Sequence, residues 1–136
     1  MTQTQLEAVV REWQRRLNIP HWRIVIAWDK PLDPSEAYGE ISRDGLAQYE
    51  AAELRFAEDF HKWPVQLANE VVVHELMHML TSDLQVTGES TEDVMTGAAF
   101  KLFSRRFIHE LEGVVDKLAL LLVQFAGPFE PNPDLL

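Results

Sequence analysis

The sequence contains no cysteine, which excludes disulfide bonds, zinc ribbons and any metal site built on thiolates. A metal ion bound by this chain must therefore have nitrogen and oxygen ligands, from histidine and carboxylate side chains. The chain also lacks a run of about eighteen apolar residues, and its first residues show no basic start followed by an apolar segment. We therefore expect a cytoplasmic protein that does not interact with a membrane.

Positive charge is scarce as well. Twelve basic residues stand against twenty-two acidic ones, which gives a formal net charge of -10. A balance of this kind repels nucleic acid and anionic membrane surfaces, so we expect neither as a partner. The 136 residues, 46% of them hydrophobic, are enough for one domain with a buried core, covering residues 1–136.

The most informative pattern is His74-Glu75-Leu76-Met77-His78. Two histidines at this spacing lie one turn apart on the same face of a helix and can bind one metal ion. The glutamate between them is not needed as a ligand, but its carboxylate is placed to accept a proton from a metal-bound water. The pattern predicts His74 and His78 as metal ligands and Glu75 as a general base. The alternative is a pair of core histidines hydrogen-bonded to backbone carbonyls.

Hydrophobic periodicity and turn signals predict an α+β chain. The predicted elements are a helix with a capping box at Thr4-Gln5-Leu6-Glu7, three short strands near residues 22–28, 38–42 and 52–57, a turn at Arg43-Asp44-Gly45, the motif helix over 64–83 and a last helix over 91–126. The helix and sheet together occupy residues 1–63.

The motif helix is expected to begin at Pro64 and to be apolar on nearly all sides, which is typical of a buried helix. Residues 85–90, with Gly88, predict a loop, and Ser90-Thr91-Glu92-Asp93 predicts the cap of the last helix. The tail over residues 127–133 is rich in proline and predicts an extended or frayed end.

A catalytic zinc ion needs three protein ligands and one open position, so one ligand must come from elsewhere in the chain. The last helix has a predicted core stripe of Phe107, Leu111, Val115, Leu118, Leu122 and Phe125. Glu112 borders this stripe and is our predicted third ligand, while Asp116 would accept a hydrogen bond from a ligand histidine. The alternatives are that both carboxylates are solvated, or that His109 or Glu110 completes the site.

With these residues the chain resembles the gluzincin branch of zinc metallopeptidases, and most closely the minigluzincins and the small metallopeptidases encoded in phages and prophages. The elongated metzincin pattern does not fit, because Thr81 and Leu84 stand where it requires glycine and histidine. The resemblance implies a zincin-like fold with one Zn2+, and a strand before the motif helix, residues 51–57, that lines the cleft and pairs with an extended peptide. We expect no second subdomain of the kind that larger gluzincins have, and the sequence assigns no tyrosine or histidine to stabilise the transition state.

We therefore expect a zinc metallopeptidase that acts on a peptide or protein substrate. His74, His78 and Glu112 would hold Zn2+, and Glu75 would take a proton from water and return it to the leaving amine. The alternative is a zinc-stabilised, non-catalytic binding or regulatory module, such as a phage accessory protein. Turnover of a substrate distinguishes the two. The sequence does not indicate an oligomeric state.

Overall fold

The computed structural model describes residues 1–43 and 51–136. In this part of the chain, three α-helices and a small three-stranded mixed sheet follow the order α1 (Gln3–Arg16), β1 (Arg23–Ile26), β2 (Gly39–Ser42), β3 (Ala51–Phe56), α2 (Val65–Glu89) and α3 (Gly97–Ala126). The expected α+β class is confirmed. The predicted turn at Arg43-Asp44-Gly45 extends into residues 44–50, which lie outside the described residues. None of the described helices is long and apolar enough to cross a membrane.

The sheet has the strand order β1-β3-β2, with β1 parallel to β3 and β2 antiparallel to it. Strand β3 is therefore the central strand, and its backbone pairs on both sides. The expectation that residues 51–57 pair with an extended peptide is wrong for this reason. Within the described sheet, the free edge on the side opposite β1 belongs to β2.

The N-cap of helix α1 is Thr2, two residues before the predicted cap at Thr4. The Thr2 hydroxyl accepts a hydrogen bond from the Gln5 amide at 3.1 Å, and the Gln5 side chain accepts one from the Thr2 amide at 2.9 Å. The capping box is thus formed by Thr2 and Gln5. The apolar face of this helix is buried in the core and consists of Leu6, Val9, Val10 and Trp13.

Helix α2 begins at Val65, one residue after the predicted start at Pro64, which is its N-cap, and its residues are largely buried as far as Met79. It then continues to Glu89, so the loop predicted over residues 85–90 is wrong. The reason lies at Gly88, where an added Cβ would be only 2.6 Å from the Phe107 ring of α3. The glycine permits two helices to approach closely, and it does not mark a break in the chain.

Helix α3 begins at Gly97 with Thr96 as its N-cap, and residues Ser90–Val94 form a separate 3-10 helix. The cap predicted over 90–93 is therefore wrong. The buried line of α3 is Leu111, Val115, Ala119 and Val123, at a spacing of four residues. Leu118 and Phe125, predicted to be in the core, are 38% and 84% exposed. The buried line is narrow because α3 packs mainly against the single helix α2.

The C-terminal tail, predicted to be an extended or frayed end, forms no helix or strand and is not frayed. The side chain of Asn69 accepts a hydrogen bond from the Phe129 amide at 2.7 Å and donates one to the Phe129 carbonyl at 3.0 Å. Further along, the hydroxyl of Thr2 donates to the Leu135 carbonyl at 3.0 Å. The tail therefore lies against α1 and α2 and is held there by hydrogen bonds that no local sequence pattern indicates.

Candidate metal centre

The two histidines of the motif lie on the face of α2 that meets α3. Their Nε2 atoms are 3.2 Å apart, and their rings are nearly perpendicular, with an interplanar angle of 74°. Both side chains are largely buried, at 23% and 18% exposure. Two imidazole nitrogens that converge on one point in this way are suited to sharing a cation.

Helix α3 brings Glu112 to the same point. One carboxylate oxygen lies 3.4 Å from the Nε2 atom of His74, and the other lies 3.3 Å from the Nε2 atom of His78. A tetrahedral ion with bonds of about 2.0 to 2.1 Å holds its ligand atoms about 3.3 Å apart. The separations within this group match that value. The residues His74, His78 and Glu112 therefore form a group that is consistent with a metal ion.

Asp116, one turn after Glu112, fixes the orientation of the first histidine. Its carboxylate oxygen lies 2.8 Å from the Nδ1 atom of His74. A proton on Nδ1 donated to this carboxylate leaves the lone pair of Nε2 directed at the centre. Burial lowers the pKa of His78 and so favours the neutral imidazole. The orientation of the His74 ring and the neutral form of His78 both suit the binding of a metal ion.

Glu75 is close to this group without belonging to it. Its side chain is only 9% exposed, and its carboxylate oxygen is 3.9 Å from the Nε2 atom of His74. Burial, and then the nearby Glu112 carboxylate, raise the pKa of Glu75 to about 8. A divalent cation bound by the three ligands would offset the negative charge of Glu112 and favour the ionised form of Glu75.

Glu75 also contacts strand β2. An added Cβ at Gly39 would lie 2.9 Å from the Cγ atom of Glu75, so a side chain at position 39 would displace the glutamate. Glycine at this position lets the edge strand approach the buried carboxylate closely. Sequence reasoning gave Gly39 no role, because the contact joins two elements that are distant in the chain.

A cleft of about 760 Å³ opens over the centre. It is lined by residues 37–41 around β2, by the α2 residues Glu70, Val71, His74, Glu75, His78 and Gln85, and by the α3 residues Glu112, Asp116, Ala119 and Leu120. All three potential ligands and Glu75 thus face one shared space. An ion in the centre would be accessible to a molecule bound in the cleft.

The rival ligands lie elsewhere. His109 and Glu110 are exposed and do not line the cleft. Sequence reasoning overlooked two cleft residues, Glu70 and Tyr38. The spacing argument that related the two histidines would have identified Glu70, which lies four residues before His74 on the same helix.

Comparison with protein-family models, curated proteins and solved structures gives no match.

We expect the protein, loaded with zinc and then desalted, to retain about one ion per chain by elemental analysis. Replacing Glu112 with alanine should weaken metal affinity by about tenfold or more and lower the melting temperature, because metal binding is coupled to folding. Glu110→Ala, the same change on an exposed side chain of α3, is the matched control and should alter neither property. Equal metal loss in the two variants would show that Glu112 is not a ligand.

Proposed function

We propose that the chain is a zinc-dependent metallopeptidase with a zincin-like fold of the gluzincin type. The observation that carries this proposal is the convergence of His74, His78 and Glu112 on one point beneath an open cleft, with the Glu75 carboxylate beside them. Hydrolytic zinc sites combine three protein ligands, one open position and a neighbouring base in this manner.

The set of ligand atoms supports zinc in particular. Two imidazole nitrogens and one carboxylate are the ligands of known catalytic zinc sites, and the ligand spacing near 3.3 Å fits a tetrahedral ion. Zinc bound there supplies a Lewis acid that polarises the scissile carbonyl and lowers the pKa of water to about 7.

The side chains of the protein have separate tasks in this mechanism. The Glu75 carboxylate accepts a proton from the attacking water and returns it to the leaving amine as the peptide bond breaks. Asp116 holds the His74 ring through Nδ1. The free edge of β2 offers backbone hydrogen-bonding groups to an extended substrate along the cleft wall.

The test is hydrolysis of an unfolded protein such as casein by the zinc-loaded chain. We expect cleavage that is abolished by the chelator 1,10-phenanthroline and restored by added zinc. The newly formed amino groups measure turnover. Zinc retained without cleavage of casein or of a random peptide library would instead support the non-catalytic module.

A further inference from the structure

The walls of the cleft carry negative charge. Five carboxylates line it, Glu40, Glu70, Glu75, Glu112 and Asp116, and no lysine or arginine is among its lining residues in the described parts of the chain. A divalent ion in the centre would offset two of these five charges, and Arg55 offsets a third at Glu40. The occupied cleft would therefore remain negative and attract positively charged groups.

Four of these carboxylates already have a function or a partner. Glu75 and Glu112 belong to the proposed mechanism, and Asp116 contacts His74. Glu40 forms an ion pair with Arg55 on the neighbouring strand. Their positions are therefore explained without a basic group on the substrate.

Glu70 is the fifth carboxylate, and its situation differs. It lies on α2 one turn before His74 and is half-buried. Its hydrogen-bond partner is the neutral side-chain amide of Gln66, at 2.6 Å. No lysine, arginine or histidine in residues 1–43 and 51–136 forms an ion pair with it. A partly desolvated carboxylate without a cation gains most from a charged partner.

An aromatic ring lines the same cleft. Tyr38 is 50% exposed and is held edge-on against Trp63, with 5.8 Å between the ring centroids. Aromatic faces attract ammonium and guanidinium groups, and they also pack against the apolar stems of lysine and arginine. The ring and the Glu70 carboxylate are thus two independent features that favour a long basic side chain.

We propose that the cleft selects peptides that carry lysine or arginine close to the bond placed at the metal centre, with Glu70 as the residue that determines this specificity. The basic side chain would occupy the part of the cleft towards the N-terminal end of α2. This inference rests on the proposed peptidase function, because it names the substrate class of the same site.

The experiment compares three fluorescent peptides that differ at one position, occupied by lysine, norleucine or glutamate. Binding to the zinc-loaded Glu75→Gln protein is measured by fluorescence anisotropy, and cleavage by the wild type is measured as kcat/KM. We expect the lysine peptide to bind about twofold to fivefold more tightly than the norleucine peptide, which is the scale of a partly exposed charge pair. Glu70→Gln should remove this preference, and Glu70→Lys should favour the glutamate peptide.

Glu58→Gln, the same change at an exposed carboxylate outside the cleft, is the control for net charge and should leave the preference unchanged. Lysine preference in binding without any cleavage would uphold the inference and contradict the peptidase proposal. Cleavage without a lysine preference would support the peptidase proposal and contradict the inference about substrate charge. A preference that Glu70→Gln leaves unchanged, or that Glu58→Gln reduces equally, would overturn the role of Glu70.

Discussion

Replacement of Glu75 by glutamine is expected to reduce peptide hydrolysis by about two to four orders of magnitude, the range found when a general base is removed. Glutamine has nearly the same shape as glutamate but does not accept a proton from water at neutral pH. Metal content should not change, because Glu75 lies beside the ligand group and is not a member of it. The kcat of casein or peptide hydrolysis, measured together with zinc content, checks both statements.

The stability of this variant should equal or exceed that of the wild type, since the substitution removes an ionisable group from a buried position. Glu92→Gln is the matched control, an isosteric change at an exposed carboxylate outside the cleft. Its activity should be that of the wild type. Full activity in Glu75→Gln protein that contains zinc would exclude Glu75 as the base.

Replacement of Asn69 by alanine should lower the free energy of unfolding by about 3 kcal/mol, because a buried group left without its hydrogen-bond partner costs about 1 to 3 kcal/mol. Asn69 is fully buried, and its side chain contacts helix α1 and the C-terminal tail as well as its own helix. Its oxygen accepts from the Trp13 indole at 2.5 Å and from the Phe129 amide at 2.7 Å. Its nitrogen donates to the Val65 carbonyl at 2.8 Å and to the Phe129 carbonyl at 3.0 Å.

Alanine would leave the indole N–H of Trp13, a side chain that is only 1% exposed, without its acceptor and would detach the tail from α2. Urea unfolding followed by tryptophan fluorescence measures the change. Gln66→Ala removes an exposed amide from the same helix and should cost less than about 0.5 kcal/mol. A loss below about 1 kcal/mol in Asn69→Ala would show that the network contributes little.

Sequence reasoning placed most accurately those residues of the centre that lie on one helix, because their positions follow from their spacing along the chain. His74, Glu75 and His78 belong to one helix, so helical geometry alone places them near one another. Glu112 required a guess about which face of α3 packs inwards. That guess included Leu118 and Phe125, which are exposed, yet Glu112 borders both the predicted stripe and the narrower observed one.

The errors concern contacts between elements that are distant in the sequence. Gly88 was predicted to lie in a loop, because nothing in the sequence indicates that the Phe107 ring packs against this glycine. The central position of β3 depends on parallel pairing with β1, which has no local signature. The tail was predicted to be irregular because the hydrogen bonds that hold it involve the distant Asn69 side chain, which the tail's own sequence does not indicate.

Because the three potential ligands are divided between two helices, an ion bound by them would link the helices together. His74 and His78 belong to α2, whereas Glu112 belongs to α3, whose buried line against the rest of the protein is only four side chains long. If an ion binds all three residues, the fraction of molecules in which α3 is packed against α2 would increase with the concentration of free metal. Each tenfold rise in free zinc above the dissociation constant would add about 1.4 kcal/mol to the stability of the docked state. The fraction of the protein that is folded would then depend on the concentration of free zinc around it.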